Sequence, residues 1–126
     1  MSFPFNPRQG LILVETELED PSANAVLRLA LDTGAMMTLV SSSILTALGY
    51  DPTQATQHVP MTTGSGIVTV PCLPLMRVRA LGLERTNFPV CHTLPPTAGV
   101  DGLLGLDFLR GRSLKVDFIQ GIVSIA

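Results

Sequence analysis

The residues best suited to chemistry in this chain are one aspartate and the three that follow it, Asp32-Thr33-Gly34-Ala35. Asp32 comes directly after the apolar run Ala25-Val26-Leu27-Arg28-Leu29-Ala30-Leu31. A carboxylate at the end of a buried strand is costly unless hydrogen bonds or a shared proton offset its desolvation. Gly34 permits a tight turn that brings its N–H toward that carboxylate. Thr33 can hydrogen-bond backbone or a second copy of the chain. A later segment, Gly102-Leu103-Leu104-Gly105-Leu106-Asp107-Phe108-Leu109, sets two large aliphatic residues and a glycine just ahead of a short helix. Between the two segments lies the glycine-rich string Gly64-Ser65-Gly66.

Short strands must position these residues. Ten prolines and eleven glycines are spread along the 126 residues and punctuate them into brief segments. Residues 11–31 read as a hairpin turning at Asp20-Pro21-Ser22-Ala23-Asn24, and Thr38-Leu39-Val40 as a short buried strand. Ser41 to Ser43 can cap a helix through Leu48 that Gly49 stops. Gln57–Thr63 and Ile67–Val70 flank the glycine tip as a second hairpin. Leu73–Ala80 and Thr86–Leu94 flank Leu81-Gly82-Leu83-Glu84 as a third. Gly102 to Gly105 form a buried strand, Leu106 to Arg110 a helical turn, and Ser113–Phe118 with Ile122–Ile125 a last hairpin. The expected architecture is all-β with two short helices, in a single domain over residues 1–126.

Composition narrows the function classes. Hydrophobic residues make up 46% of the chain and charged residues only 14%, which excludes disorder and implies apolar surface covered by a partner as well as by the core. The net charge of −2 and the scattered basic residues exclude a nucleic-acid footprint. No apolar run reaches the roughly 18 residues of a membrane span, and the N-terminus lacks the pattern of a signal peptide. A cytoplasmic protein is therefore expected, with Cys72 and Cys91 as two reduced, buried thiols.

Asp32-Thr33-Gly34-Ala35, the later Leu103-Leu104-Gly105 and the glycine-tipped hairpin between them, in this order, resemble the retropepsins, the single-domain aspartic proteases of retroviral type. The run Gly102 to Leu109 followed by Lys115-Val116-Asp117 is most similar to retropepsin-like domains of cellular proteins, bacterial ones included. The resemblance implies a closed β-barrel or sandwich acting as a symmetric homodimer. It implies that Asp32 is the catalytic residue, supported by Thr33, Gly34 and Ala35, with Leu103, Leu104 and Gly105 packed behind. It makes Met61, Thr63, Gly64, Ser65, Gly66 and Ile67 a substrate-binding flap. Aspartic protease chemistry needs two carboxylates sharing one proton. With a single Asp-Thr-Gly string, the second carboxylate must be Asp32 of another copy, related by a two-fold axis. The expected substrate is an extended peptide or protein segment with apolar side chains at the cut, held in pockets that include Ala30, Met61, Ile67 and Val68. The alternative is a catalytically silent dimer of the same fold that grips extended peptides. Many viral members carry an Asp and an Arg that pair where this chain has Met36 and Leu106, so a packing contact is expected in place of an ion pair.

Other motifs carry less. Gly64-Ser65-Gly66 lacks the Gly-Lys-Ser/Thr ending of a phosphate loop. Cys91 and His92 are neighbours that point to opposite faces of a strand, and no paired metal-ligand spacing involves Cys72, His58 or His92, so no metal and no cofactor are expected. Asp107 reads as structural at the start of its helix, Asp101 as a loop acid, and Glu15, Glu17 and Glu19 as a solvated face. The apolar end Ile122-Val123-Ser124-Ile125-Ala126 is the expected strand of an intermolecular sheet.

Overall fold

The structure, a computed structural model, describes residues 1–20, 23–55, 57–63, 65–92 and 100–126. Among these residues there are ten strands: β1 (Ser2–Pro4), β2 (Leu13–Glu19), β3 (Asn24–Leu31), β4 (Leu39–Val40), β5 (Gln57–Thr63), β6 (Gly66–Ala80), β7 (Leu83–Cys91), β8 (Gly102–Leu104), β9 (Leu114–Asp117) and β10 (Ile122–Ile125). Two short α-helices, α1 (Ser42–Ala47) and α2 (Leu106–Leu109), and a 3-10 turn at Pro52–Gln54 complete the described elements. The order β2-β3-β8-β4-β7-β6 closes on itself because β6 also pairs with β2, from Thr16 opposite Ala80 to Glu19 opposite Arg77. The result is a closed six-stranded barrel, and β5 adds to the outer side of β6 as a hairpin arm.

Alternation drives the barrel. In β2, buried Val14, Thr16 and Leu18 face inward while Glu15, Glu17 and Glu19 face out. The outward acids are not merely solvated. Glu17 and Glu19 reach Arg79, Glu19 and Glu84 reach Arg77, and Glu84 also bonds Arg79 at 2.7 Å. Inside, Leu18, Leu29, Leu75, Val78, Val90, Leu104 and Phe108 are almost fully buried in one apolar cluster. Burying a large aliphatic or aromatic side chain contributes about 1.5–3 kcal/mol, which makes this interior the main source of stability.

Several local expectations are corrected. The second and third hairpins share one unbroken fifteen-residue strand, β6, which runs through Pro71 and Pro74. Pro74 lies opposite Pro89, two steps along the ladder from Cys72 opposite Cys91, whose Cα atoms are 4.0 Å apart. That close spacing marks non-hydrogen-bonded positions, where a missing N–H costs the ladder nothing. The turn into β7 is only Leu81-Gly82, with φ of 53° and 72° that suit a tight two-residue hairpin. Leu83 and Glu84 therefore belong to β7. Leu94, expected at the end of β7, lies outside the described residues.

The two cysteines are not free thiols. The register sets them face to face on β6 and β7, fully buried, and they are joined as a disulfide. The N-terminal strand β1 was not expected at all. It pairs with β10, from Ser2 opposite Ser124 to Pro4 opposite Ile122, and β9 pairs along the other side. Both edges of β10 are thus occupied within the chain, so β10 cannot be the strand that a second copy extends in this arrangement. The outer strands of that three-stranded sheet are β1 and β9.

Candidate active site

The topology brings the two motif segments together. Strand β8 inserts between β3 and β4, parallel to β3 with Leu31 opposite Leu104 and antiparallel to β4 with Leu39 opposite Leu103. The chain leaving β3 must therefore arch over the end of β8 to reach β4. That arch is the segment from Asp32 to Thr38. Asp32 N–H donates to the Leu104 carbonyl at 3.0 Å, and Leu106 N–H donates to the Ala35 carbonyl at 2.9 Å. Gly105 passes directly beneath. A Cβ added there would lie 2.7 Å from the Met37 carbonyl and 2.9 Å from the Ala35 oxygen, so only glycine fits. Gly102 is similarly confined against the Leu39 carbonyl.

Within the arch, the Gly34 N–H donates to Asp32 Oδ1 at 2.9 Å, and Ala35 N–H donates to the Asp32 carbonyl at 3.2 Å. A side chain on Gly34 would crowd the same Oδ1 at 3.2 Å. One carboxylate oxygen is therefore oriented by backbone. Asp32 is half-buried and opens on a cavity of about 360 Å³. Gly34, Ala35, Met36, Met37, Leu39 and Leu103 form one side of it, and Pro60, Met61 and Thr62 of β5 the other. The cleft thus separates an acid-bearing loop from a projecting hairpin.

The structure brings most of the expected site residues to this cleft. Asp32, Gly34, Ala35, Leu103 and Met61 line it. Thr33 is exposed beside Asp32, Leu104 is fully buried behind the arch, and Gly105 packs under it. Thr63, by its backbone, ends β5, opposite Gly66. Gly66 has φ of +127°, a conformation that favours glycine, and Ser65 and Ile67 flank it in the exposed hairpin end. Gly64 lies outside the described residues. Ala30 is buried and, contrary to expectation, is not among the residues that line the cleft. Ile67 and Val68 stand 75% and 45% exposed on the hairpin and also lie off the cavity wall. Met36 turns to the cleft with 69% of its surface exposed, so its exchange with Leu106 is not a buried packing contact.

Two acids sit elsewhere. The Asp101 carboxylate accepts the Arg28 N–H at 2.9 Å, tying β3 to the start of β8. Asp107 reaches back to Thr38, a partnership that its place in the sequence does not announce. Among the described residues, no three of the His, Cys, Asp and Glu side chains gather closely enough to hold a metal ion. No described helix is long and apolar enough to cross a membrane.

The sequence profile of the family described as "gag-polyprotein putative aspartyl protease" matches residues 23–111, from β3 through the helix after β8. The chain belongs to the retropepsin-like aspartic protease family. Among solved structures, the retropepsin-like aspartic protease from Rickettsia conorii is similar over 100% of this chain and 91% of its own, with a TM-score of 0.74 and 19% identity. The retropepsin-like fold is therefore shared at low identity. No match is found among curated proteins. Family and fold together support aspartic protease activity in general terms.

Proposed function

We propose that this retropepsin-like chain, acting as one unit over residues 1–126, is an aspartic endopeptidase whose dyad is Asp32 from each of two copies. The observation that carries the reading is the placement of Asp32 on the arch. Its carboxylate is half-buried, oriented by the Gly34 N–H, and faces a cleft bounded by a hairpin. The chain supplies one such carboxylate, whereas the reaction needs two that share a proton. A two-fold axis beside the arch provides the second. The exposed apolar residues Met36, Ile67 and Val68 support a partner surface on this side of the molecule.

In this scheme an extended peptide lies between the two arches and under the two hairpins, adding to them as a strand. The ionised carboxylate takes a proton from water as the water oxygen bonds to the scissile carbonyl carbon. The protonated partner carboxyl gives its proton to the carbonyl oxygen. The ionised partner carboxylate then takes back one hydroxyl proton of the resulting gem-diol, the other carboxyl gives the proton it took from water to the amide nitrogen, and the C–N bond breaks to leave an acid, an amine and the dyad with its one shared proton. Met61, Met37, Leu39 and Leu103 make the pocket walls apolar, which favours apolar side chains at the cut.

The test is cleavage of a mixed peptide library from pH 3 to 8 by the wild type and by Asp32→Asn, over a range of protein concentrations. Cuts lost in Asp32→Asn, with specific activity rising as concentration populates the dimer, are expected. Peptides retained uncut by a dimeric wild type would instead identify the silent, peptide-gripping module.

A further inference from the structure

The arch is anchored at its far end by a residue outside the Asp-Thr-Gly string. Thr38 is fully buried, and its N–H donates to Asp107 Oδ2 at 3.1 Å. Its hydroxyl donates to Asp107 Oδ1 at 2.8 Å and accepts the Gly105 N–H at 3.1 Å. The Phe108 N–H donates to the same Oδ1 at 2.9 Å. The Thr38 carbonyl accepts the Cys91 N–H at 3.0 Å, which closes the inventory of its backbone polar groups. Three donors converge on the two oxygens of Asp107, so the position requires a group that only accepts. An amide would turn its NH2 toward either the Thr38 N–H or a hydroxyl already committed to donate.

We propose that Asp107 is a positioning residue for the Asp32 carboxylate, acting through Thr38. Asp32 N–H is fixed to Leu104 and Thr38 to Asp107, so the arch is held at both feet by the β8–α2 segment. Among the described residues, the Ala35–Leu106 bond alone ties the middle to that segment's backbone N–H groups. Releasing the Thr38 foot lets Met37, Met36 and Ala35 drift. The Gly34 N–H that aims Asp32 Oδ1 moves with them. The helix-start role read from the sequence is real, through the Phe108 N–H, but it occupies only part of one oxygen. The Thr38 clasp takes the rest.

The catalytic half of this inference rests on the protease reading, so the test carries a readout that does not. Asp107→Asn, Thr38→Val and Thr38→Ser are made in the full chain. Each is assayed for kcat and KM on a cleaved peptide, for dimerisation, for thermal unfolding, and for amide hydrogen exchange by NMR. Asp107→Asn and Thr38→Val are expected to lower kcat about 10- to 100-fold with KM within about twofold, as for a misplaced catalytic group. Thr38→Ser keeps the hydroxyl and is expected within about threefold of wild type, while the Asp107→Asn/Thr38→Val double variant falls no further than either single one. Amides of residues 33–38 should exchange about tenfold faster while those of β6 and β7 stay protected. Unchanged loop exchange in folded variants overturns the clasp. So does a kcat loss that follows global unfolding and spares the loop at matched stability. If Asp107→Asn fails to fold, Thr38→Val decides alone, and an unchanged kcat there overturns the proposal. A wild type that cuts nothing overturns the protease reading and the catalytic role with it, and loop exchange still decides whether Asp107 holds the arch.

Discussion

Replacing Gly105 by alanine tests whether the close crossing of β8 and the arch holds the site together. The new methyl would sit 2.7 Å from both the carbon and the oxygen of the Met37 carbonyl and 2.9 Å from the Ala35 oxygen. Ordinary contact starts near 3.4 Å, so the arch must retreat by about 0.7 Å. The obstructing atoms are backbone and cannot rotate aside. Overpacking of this kind costs about 1–3 kcal/mol. For a chain of this length that lowers Tm by roughly 4–11 °C. A displacement approaching 1 Å at a catalytic loop costs up to about 100-fold in rate, so activity should fall at least about tenfold. Two controls separate crowding from backbone freedom. Gly10 has nothing within 4 Å and no positive φ, so Gly10→Ala should shift stability by less than about 0.5 kcal/mol. Gly111 also has open space but φ of +80°, so Gly111→Ala should cost about 1 kcal/mol and leave the cleft untouched. Urea unfolding measures stability, and peptide cleavage at fixed dimer fraction measures activity. A Gly105→Ala protein as stable as Gly10→Ala and fully active would refute the claim that this crossing positions Asp32.

Two further expectations concern stability. Cys72 and Cys91 close a loop with a sequence separation of 19, for which chain entropy assigns about 3 kcal/mol, so the Cys72→Ser/Cys91→Ser pair should lower the urea midpoint accordingly, and an unchanged midpoint would deny the bond a structural part. The acid limb follows from three exposed carboxylates. The Gln120 N–H, and after it the Ile119 N–H, hold Asp117 below the usual carboxylate range, the Arg79 side chain does so for Glu84, and Thr53 does so for Asp51. A lowered folded value means stabilisation that is complete above the unfolded range near 4 and is lost as pH falls through the lowered values. The unfolding midpoint should therefore stay level from about pH 6 to 5 and drop below about pH 4, with a shallower drop in Asp117→Asn. A drop that begins at pH 6 would point to other groups.

The parts of this molecule legible in the sequence are those in which each residue announces its own conformation. Period-two alternation in residues 13–19 marks β2, and Gly66 at a positive φ marks the hairpin end. Asp32 after an apolar run, with glycine two residues on, marks the arch. What was not legible depends on pairings between distant segments. Pro71 falls in the gap between the second and third hairpins as read from the sequence, yet β6 runs through it, because nothing local says that pairing with β5 and β7 continues there. Ser2-Phe3-Pro4 is too short to carry a pattern, and it becomes a strand only because β10 offers an edge. The same pairing removes β10 from the role assigned to it from its composition. Two cysteines without a multi-bridge framework or a signal segment read as thiols. Register then set them opposite one another.

Asp107 shows most sharply why the support of a site is harder to read than the site. Its neighbours Leu106 and Phe108 explain a helix start, and a helix start explains one of its three hydrogen bonds. The other two go to Thr38, which is 69 positions earlier and joined to it only by the insertion of β8 between β3 and β4. That insertion forces the loop from Asp32 to Thr38 over the strand end. Any residue just past that end then lies under the loop, so it must either make room, as Gly105 does, or supply acceptors for the loop's inward N–H and hydroxyl groups, as Asp107 does. Glycine and carboxylate two residues apart are thus two halves of one requirement set by the crossing. Substituting either should disturb the Asp32 arch before it disturbs the barrel, because the barrel strands β2, β6 and β7 pair with one another independently of it.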